Sequence, residues 1–333
     1  MTEFKNIPTN IISGFLGAGK TTVIQYLLKH KPVSEVWAVV VNEFGQVGID
    51  GALLKNPHVE IKQIPGGCLC CVGSQALNVG LNQIIRSVKP QRILIEPTGL
   101  GHPAKLISTL SGEFYKNVLD LKAVINLIDA RNLNDTRYLE NATFIEQSVL
   151  ADILVATKRD TYSEDDKNCF FDYAMGFKPE KLEVTMIEQG QLNLSWLDIS
   201  RIKNIPADNN AVDVSHSHSP HAIDNTKDNQ LTGWNAIEGQ ADGYFSLGWK
   251  LDRSIIFERR KLLEFVDKLF TDSNVERVKA VVNTDAGWWL LNLTRNERDI
   301  QDTNVRLDVV LEIISSDYLN VRALGLALSA CQI

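Results

Sequence analysis

Apolar residues over the first two hundred positions come in short unbroken runs, separated by longer stretches of mixed character. Trp37-Ala38-Val39-Val40-Val41, Arg92-Ile93-Leu94-Ile95, Ala123-Val124-Ile125-Asn126-Leu127-Ile128 and Ile153-Leu154-Val155-Ala156 lack polar alternation. A strand with one wet face would alternate, so these runs predict parallel strands covered on both faces. Between them, Leu77 to Val88 and Phe144 to Leu150 read as helices. Ser163-Glu164-Asp165-Asp166 predicts a helix start with acids in its first turn. Strands and helices alternating in this way predict a doubly wound α/β domain with a mainly parallel sheet.

From about Ala207 to Gln240 the character changes. Asn, Asp, Ser, His and Gly dominate and the apolar periodicity stops, which predicts a mobile linker. Beyond it, Tyr244 to Lys250, Val278 to Asn283, Trp288 to Leu293 and Leu307 to Ile314 predict strands, and Glu258 to Phe270 and Asp317 to Leu328 predict helices. That order predicts a smaller α+β domain with its helices on one face of a mostly antiparallel sheet. The expected division is a first domain over 1–205, a His-containing linker over 206–240 and a C-terminal domain over 241–333.

Composition narrows the function classes. A chain of 333 residues with 44% hydrophobic and 23% charged residues fits a soluble globular protein of about two domains. The net charge of −7 gives no electrostatic reason to expect nucleic acid or an anionic membrane. No apolar run approaches the ~18 residues of a membrane span. The first eight residues lack the apolar core of a secretory signal, and five cysteines with three packed together form no disulfide framework. A cytoplasmic protein is expected.

Gly14-Phe15-Leu16-Gly17-Ala18-Gly19-Lys20-Thr21 is a complete G-x-x-x-x-G-K-T string. It follows the apolar Asn10-Ile11-Ile12-Ser13 and opens a helix-like segment from Thr22 to Leu28. A Gly-rich turn before an ordinary helix would explain the string alone; the strand-loop-helix context favours a phosphate loop. Backbone N–H groups of Gly14, Gly17, Ala18, Gly19, Lys20, Thr21 and Thr22 would then cradle phosphates at a helix N-terminus. Lys20 would reach the β- and γ-phosphates and the Thr21 hydroxyl would hold Mg²⁺.

Two further segments follow buried strands. Ile93-Leu94-Ile95-Glu96-Pro97-Thr98-Gly99 places an acid three residues before a glycine, so that Glu96 would hold Mg²⁺ and the Gly99 N–H would sense the γ-phosphate. Ala156-Thr157-Lys158-Arg159-Asp160 matches the N/T-K-x-D segment that reads guanine: the Asp160 carboxylate would accept from the base, and the Lys158 stem would pack on it. Adenine offers no matching donor pair, so GTP is the expected nucleotide.

Gly66-Gly67-Cys68-Leu69-Cys70-Cys71 adds a different chemistry. Three thiolates within four positions select Zn²⁺ or another thiophilic ion, and three ligands leave one exchangeable position. Buried cysteines acting as small apolar residues are the competing explanation; Gly66 and Gly67 argue for a loop. His216, His218 and His221 lie in the linker as weak auxiliary ligands, or as solvated residues of a polar tract. His102 and Asp129 are ambiguous between site and turn roles, and no residue stands out as the activator of a hydrolytic water.

Taken together, Gly14 to Thr22, Val41-Asn42-Glu43-Phe44-Gly45, Val47-Gly48-Ile49-Asp50, Gly67-Cys68-Leu69-Cys70-Cys71, Glu96-Pro97-Thr98-Gly99-Leu100 and Thr157-Lys158-Arg159-Asp160 resemble the CobW-type, or G3E, P-loop GTPases. Asp50-Gly51-Ala52-Leu53-Leu54 and the stretch from Ile95 to Pro103 are most similar to its YeiR-like, zinc-associated subgroup. Gln46 stands where many relatives carry Glu, removing a carboxylate from that position. The resemblance implies a Mg²⁺-dependent GTPase that passes zinc from the C-x-C-C loop to a client metalloprotein. Assembly into a homo-oligomer is left open. The rivals are a cobalt or nickel insertase, a passive zinc buffer or sensor, and an ATP-dependent small-molecule kinase.

Overall fold

The computed structural model describes residues 6–41, 59–63, 74–101, 103–202, 234–241, 243–272, 274–303 and 308–333. They fall into two compact units, one holding the described residues up to 202 and the other those from 234 onward. In the first, the strands are β1 (Ile7–Gly14), β2 (Trp37–Val41), β3 (Val59–Gln63), β4 (Arg92–Glu96), β5 (Leu119–Leu121), β6 (Ile125–Asp129), β7 (Ile153–Thr157) and β8 (Glu183–Met186). The helices are α1 (Lys20–His30), α2 (Ser74–Val88), α3 (Pro103–Ser111), α4 (Thr136–Leu139), α5 (Ala142–Leu150) and α6 (Glu164–Met175).

The sheet runs β3-β2-β4-β1-β6-β7-β8, with β5 paired to β1, and its strand pairs are parallel. Successive residues of one strand serve two different cores, which is why the runs carry no polar alternation. Ile11, Ala38, Val40, Ile93 and Ile95 pack with Leu81 and Ile84 of α2 and Leu106 and Ile107 of α3. Their neighbours Ile12, Val39, Val41 and Leu94 pack with Val23, Ile24 and Leu27 of α1. Each such side chain contributes about 1.5–3 kcal/mol on burial. Arg92, the one charge in these runs, is buried: its Nη1 donates to Asn10 Oδ1 at 2.8 Å and Leu197 O at 2.9 Å, its Nη2 donates to Asp198 Oδ1, and the guanidinium lies over the Trp37 ring, while Nε has no hydrogen-bond partner among the described residues.

Strand order reverses at β1, whose neighbours are β4 and β6. In open α/β sheets the crevice outside the carboxyl ends of the strands at such a point is where ligands bind. The loops that follow β1, β4, β6 and β7 all leave from that edge.

The second unit is an antiparallel sheet ordered β13-β12-β11-β14-β10-β9. Its elements are β9 (Ala236–Ala241), β10 (Tyr244–Leu251), α7 (Arg259–Asp272), β11 (Val275–Thr284), β12 (Gly287–Thr294), β13 (Glu297–Asp302), β14 (Val309–Ser315) and α8 (Val321–Ser329). Leu262, Phe265, Val266 and Leu269 of α7 and Leu328 of α8 share one core with Leu247, Trp249, Val278, Ala280, Leu291 and Ile313, so both helices cover the same sheet face. Trp289 is buried in that core while Trp288 is half-buried, as strand alternation requires.

Two strands correct the sequence reading. Residues 236–240, assigned by pattern to the linker, belong to β9, and Glu297–Asp302 forms β13. Both are outer strands of the sheet; β13 is largely polar and Glu238, Gly239 and Gln240 interrupt β9, so neither produces an apolar run.

Candidate functional site

The site begins where β1 ends. A side chain at Gly14 would bring its Cβ to 2.6 Å from Leu127 O on the adjacent strand, so the turn can start only from a glycine. Gly19, at φ 83°, takes the left-handed conformation before the first turn of α1. Gly17 and Ala18 lie on the loop between them. Lys20 is buried, and its Nζ donates to Gly14 O at 2.9 Å and Phe15 O at 3.1 Å, which holds the ammonium against its own loop. Beneath the loop, the Phe15 ring meets Tyr138 and Phe144 edge-on at 5.5 and 5.9 Å.

Glu96 ends β4 with 2% exposure, and its Oε1 accepts from Thr21 Oγ1 at 3.3 Å. Two hard oxygen donors are thus paired at the head of α1, a donor set suited to Mg²⁺. The chain then turns back on itself. Gly101 N donates to Thr98 O at 3.0 Å, and Leu100 N to Thr98 Oγ1 at 3.2 Å. This turn presses on the phosphate loop: a Cβ at Gly99 would sit 3.0 Å from Leu16 N and 3.1 Å from Lys20 Nζ. A Cβ there would be a tight contact with the Leu16 backbone.

The third segment is tied to the first by a hydroxyl. Thr157 ends β7 almost fully buried, and its Oγ1 donates to Ala18 O at 2.9 Å. A threonine therefore suffices as the link to the loop at this position. Lys158 follows at φ 60°, with its Nζ 3.4 Å from Asp129 Oδ2. Asp160 lies in an exposed 3-10 turn, Arg159–Thr161. Arg159 N donates to Ile187 O at 3.0 Å. A Cβ at Gly190 would reach within 2.7 Å of Thr22 O. The loop after β8 therefore adjoins both the Asp160 turn and the start of α1. Sequence reasoning missed this loop, because its role is carried by backbone and leaves no side-chain motif.

Asp129 resolves toward architecture. Its carboxylate caps the turn Ala130–Asn134 by accepting from Arg131 N at 3.2 Å, and it accepts from the Arg131 guanidinium at 2.6 and 2.9 Å. Burial alone would raise its pKa, but the Arg131 hydrogen bonds and the Lys158 and Arg131 charges win, holding it below the ordinary carboxylate value. The Tyr162 hydroxyl accepts from Ala130 N at 2.9 Å and donates to Thr157 O. Burial, then the Asp129 charge, pushes its pKa well above the ordinary phenol value. Asp129, Arg131 and Tyr162 thus brace the Thr157–Lys158 turn from below.

Gly14, Gly17, Ala18, Gly19, Lys20, Thr21, Thr22, Glu96, Gly99, Thr157, Lys158 and Asp160 all lie along one edge of the sheet. Cys68, Cys70 and Cys71, the segment from Glu43 to Asp50, His102, and His216, His218 and His221 lie outside the described residues. Among the described residues, no group of three or more His, Cys, Asp or Glu side chains could hold a metal ion, and no helix is long and apolar enough to cross a membrane.

Comparison with known proteins agrees with this architecture. Residues 8–181 match the family model described as CobW/HypB/UreG, nucleotide-binding domain. The zinc chaperone YeiR of Escherichia coli is 36% identical over 329 residues, spanning 96% of both chains. The zinc chaperone CobW of Pseudomonas aeruginosa is 32% identical over 140 residues, 39% of this chain and 37% of its own. Among solved structures, the Zn(II)-bound YjiA GTPase of Escherichia coli aligns over 98% of this chain and 99% of its own, with 18% identity and a TM-score of 0.42. At that level the likeness adds nothing to the fold described above.

Proposed function

The chain belongs to the CobW/HypB/UreG family, and from that premise we propose that it is a Mg²⁺-dependent GTPase that binds zinc at Cys68, Cys70 and Cys71 and delivers it to a client metalloprotein. The observation that carries the nucleotide half is the convergence at the head of α1. There, Thr21 meets Glu96 at 3.3 Å, and Gly99 packs against Lys20. A nucleoside triphosphate laid on this edge would meet the loop N–H groups, the Lys20 ammonium and the Gly99 backbone at its terminal phosphate. Bound at Thr21 and Glu96, Mg²⁺ would neutralise phosphate charge. Lys20 stabilises the charge that builds on the phosphoryl oxygens, and the braced turn after β7 presents Asp160 to the base.

The metal half rests on the C-x-C-C string and on the names of the relatives, which are zinc chaperones. Zinc is cargo here, and the cysteine loop lies in sequence between the two segments expected to respond to the γ-phosphate. The test is equilibrium binding of GTP and ATP with Mg²⁺, followed by phosphate release with and without zinc. GTP preference that collapses in Asp160→Ala supports the reading, with an expected loss on the order of a hundredfold for GTP. Wild-type protein that binds ATP as tightly as GTP returns the assignment to a small-molecule kinase.

A further inference from the structure

Gln147 lies on α5, which no motif marks, yet it is the side chain that fastens the turn after β4. It is 1% exposed. Its Nε2 donates to Gly99 O at 3.0 Å and to Gly101 O at 3.2 Å, so one carboxamide spans the turn that Thr98 opens. Both neighbours are carbonyl oxygens, so only the NH₂ end can face them. The carboxamide oxygen is buried with no hydrogen-bond partner among the described residues. Leaving that acceptor unsatisfied is unfavourable, which makes the two bonds on the other end the reason for a glutamine here. The same helix reaches the neighbouring segments: Phe144 packs on Phe15 of the phosphate loop, and Glu146 Oε1 accepts from Ala104 N at 3.3 Å.

We propose that Gln147 is a positioning residue that presets the Gly99 backbone beside Lys20 for a third phosphate, and so sets the preference for nucleoside triphosphate over diphosphate. The inference rests on the nucleotide reading above. Gly99 abuts Lys20 Nζ, the group that would reach the β- and γ-phosphates, so the turn lies at the outer end of the nucleotide, where a γ-phosphate adds contacts. With the turn already held, binding a triphosphate does not have to order it. A diphosphate has no atom there and gains nothing from the arrangement.

The test uses the full chain with Mg²⁺, GDP and a non-hydrolysable GTP analogue, and the variants Gln147→Met and Gln147→Glu. Gln147→Met keeps the volume and removes both bonds. Affinity for the analogue should fall about tenfold, with GDP affinity unchanged within about twofold. Gln147→Glu turns the contact into a titratable one. A carboxylate repels both carbonyls, whereas its protonated form donates to one of them. The analogue-to-GDP ratio of this variant, normalised to wild type, should therefore rise as pH falls from about 8.5 to about 5.5. A residue that only packs would produce no such slope, and the slope stands as a test even if Gln147→Met fails to fold.

An unchanged ratio in Gln147→Met, parallel losses for both nucleotides, a flat profile in Gln147→Glu, or failure of both variants to fold would each overturn the proposal. If wild-type protein binds neither guanine nucleotide, the nucleotide reading falls along with it. If wild type discriminates and the variants discriminate equally, only the role of Gln147 falls.

Discussion

At the scale of single residues, the buried charges of the site are governed by their partners. Asp129 is 3% exposed, and its carboxylate meets Arg131 at 2.6 Å and Lys158 at 3.4 Å. Because these cations outweigh burial and hold its folded pKa below the ordinary aspartate value of 3.8, the folded state binds fewer protons than the unfolded state as pH falls past that value. Its stabilising contribution is complete above the unfolded pKa and disappears as pH drops through the folded one. Asp129→Asn should therefore lower stability by about 1–3 kcal/mol at neutral pH. The gap from wild type should narrow in denaturant melts as pH falls below the ordinary aspartate value of 3.8. A gap that persisted there would assign the loss to packing instead of charge. Gly99→Ala makes a second prediction by sterics. With a Cβ 3.1 Å from Lys20 Nζ and 3.0 Å from Leu16 N, the turn and the loop must give by a few tenths of an ångström. Affinity for a GTP analogue should fall on the order of tenfold or more, with GDP less affected, in the same binding titration.

At the scale of elements, the nine residues of α5 show what sequence pattern reveals and what it hides. Its apolar residues mark it as a helix, and its N-terminus is capped locally, Asn141 Oδ1 accepting from Phe144 N at 2.9 Å. Its other end is capped from a distance: Lys181 Nζ donates to Ser148 O, Val149 O and Ala151 O at 2.7–3.0 Å. No local rule locates a cap supplied thirty residues downstream. Asn141→Ala should cost about 1 kcal/mol, and Lys181→Met about 1–3 kcal/mol. The two ends lie roughly 13 Å apart along the helix, so the double variant should be additive within about 0.5 kcal/mol in chemical denaturation. Clear non-additivity would mean that the helix frays as one unit. The same contrast runs through the sheets. Strands β1, β2, β4, β6 and β7 were legible because helices cover both faces. The three-residue β5 and the outer strands β8, β9 and β13 were not, because short or polar segments leave no run to read.

At the scale of the whole molecule, the proposed nucleotide edge was legible as a motif because glycines and a lysine at fixed spacing suit a phosphate, and acids after buried strands suit Mg²⁺ and a guanine base. The braces behind that edge (Gln147, Tyr162 and the loop after β8) were not, because they join residues far apart in sequence. In the proposed cycle, what would link nucleotide to cargo is a matter of order along the chain. Cys68, Cys70 and Cys71 fall between the segment from Glu43 to Asp50 and the segment from Glu96 to Gly101. If GTP fixes both flanking segments, the thiols between them should present different geometries in the two nucleotide states, and zinc affinity should differ accordingly. Thiolate binding releases protons, so affinity should also rise with pH and fall sharply when any one of the three cysteines becomes serine. Removing residues 216–221 should cost less, since ligands on a polar tract must be ordered one by one. The measurement is a zinc competition titration in GDP and in a non-hydrolysable GTP analogue, for wild type and for the Cys68/Cys70/Cys71 triple serine variant. A severalfold difference between nucleotide states, abolished by the triple change, is the expected result; coupling of about 1–3 kcal/mol is the usual range between linked sites. Equal affinities in both states would leave a passive zinc buffer, and coupled binding that survived the triple change would move the cargo site away from the cysteine loop.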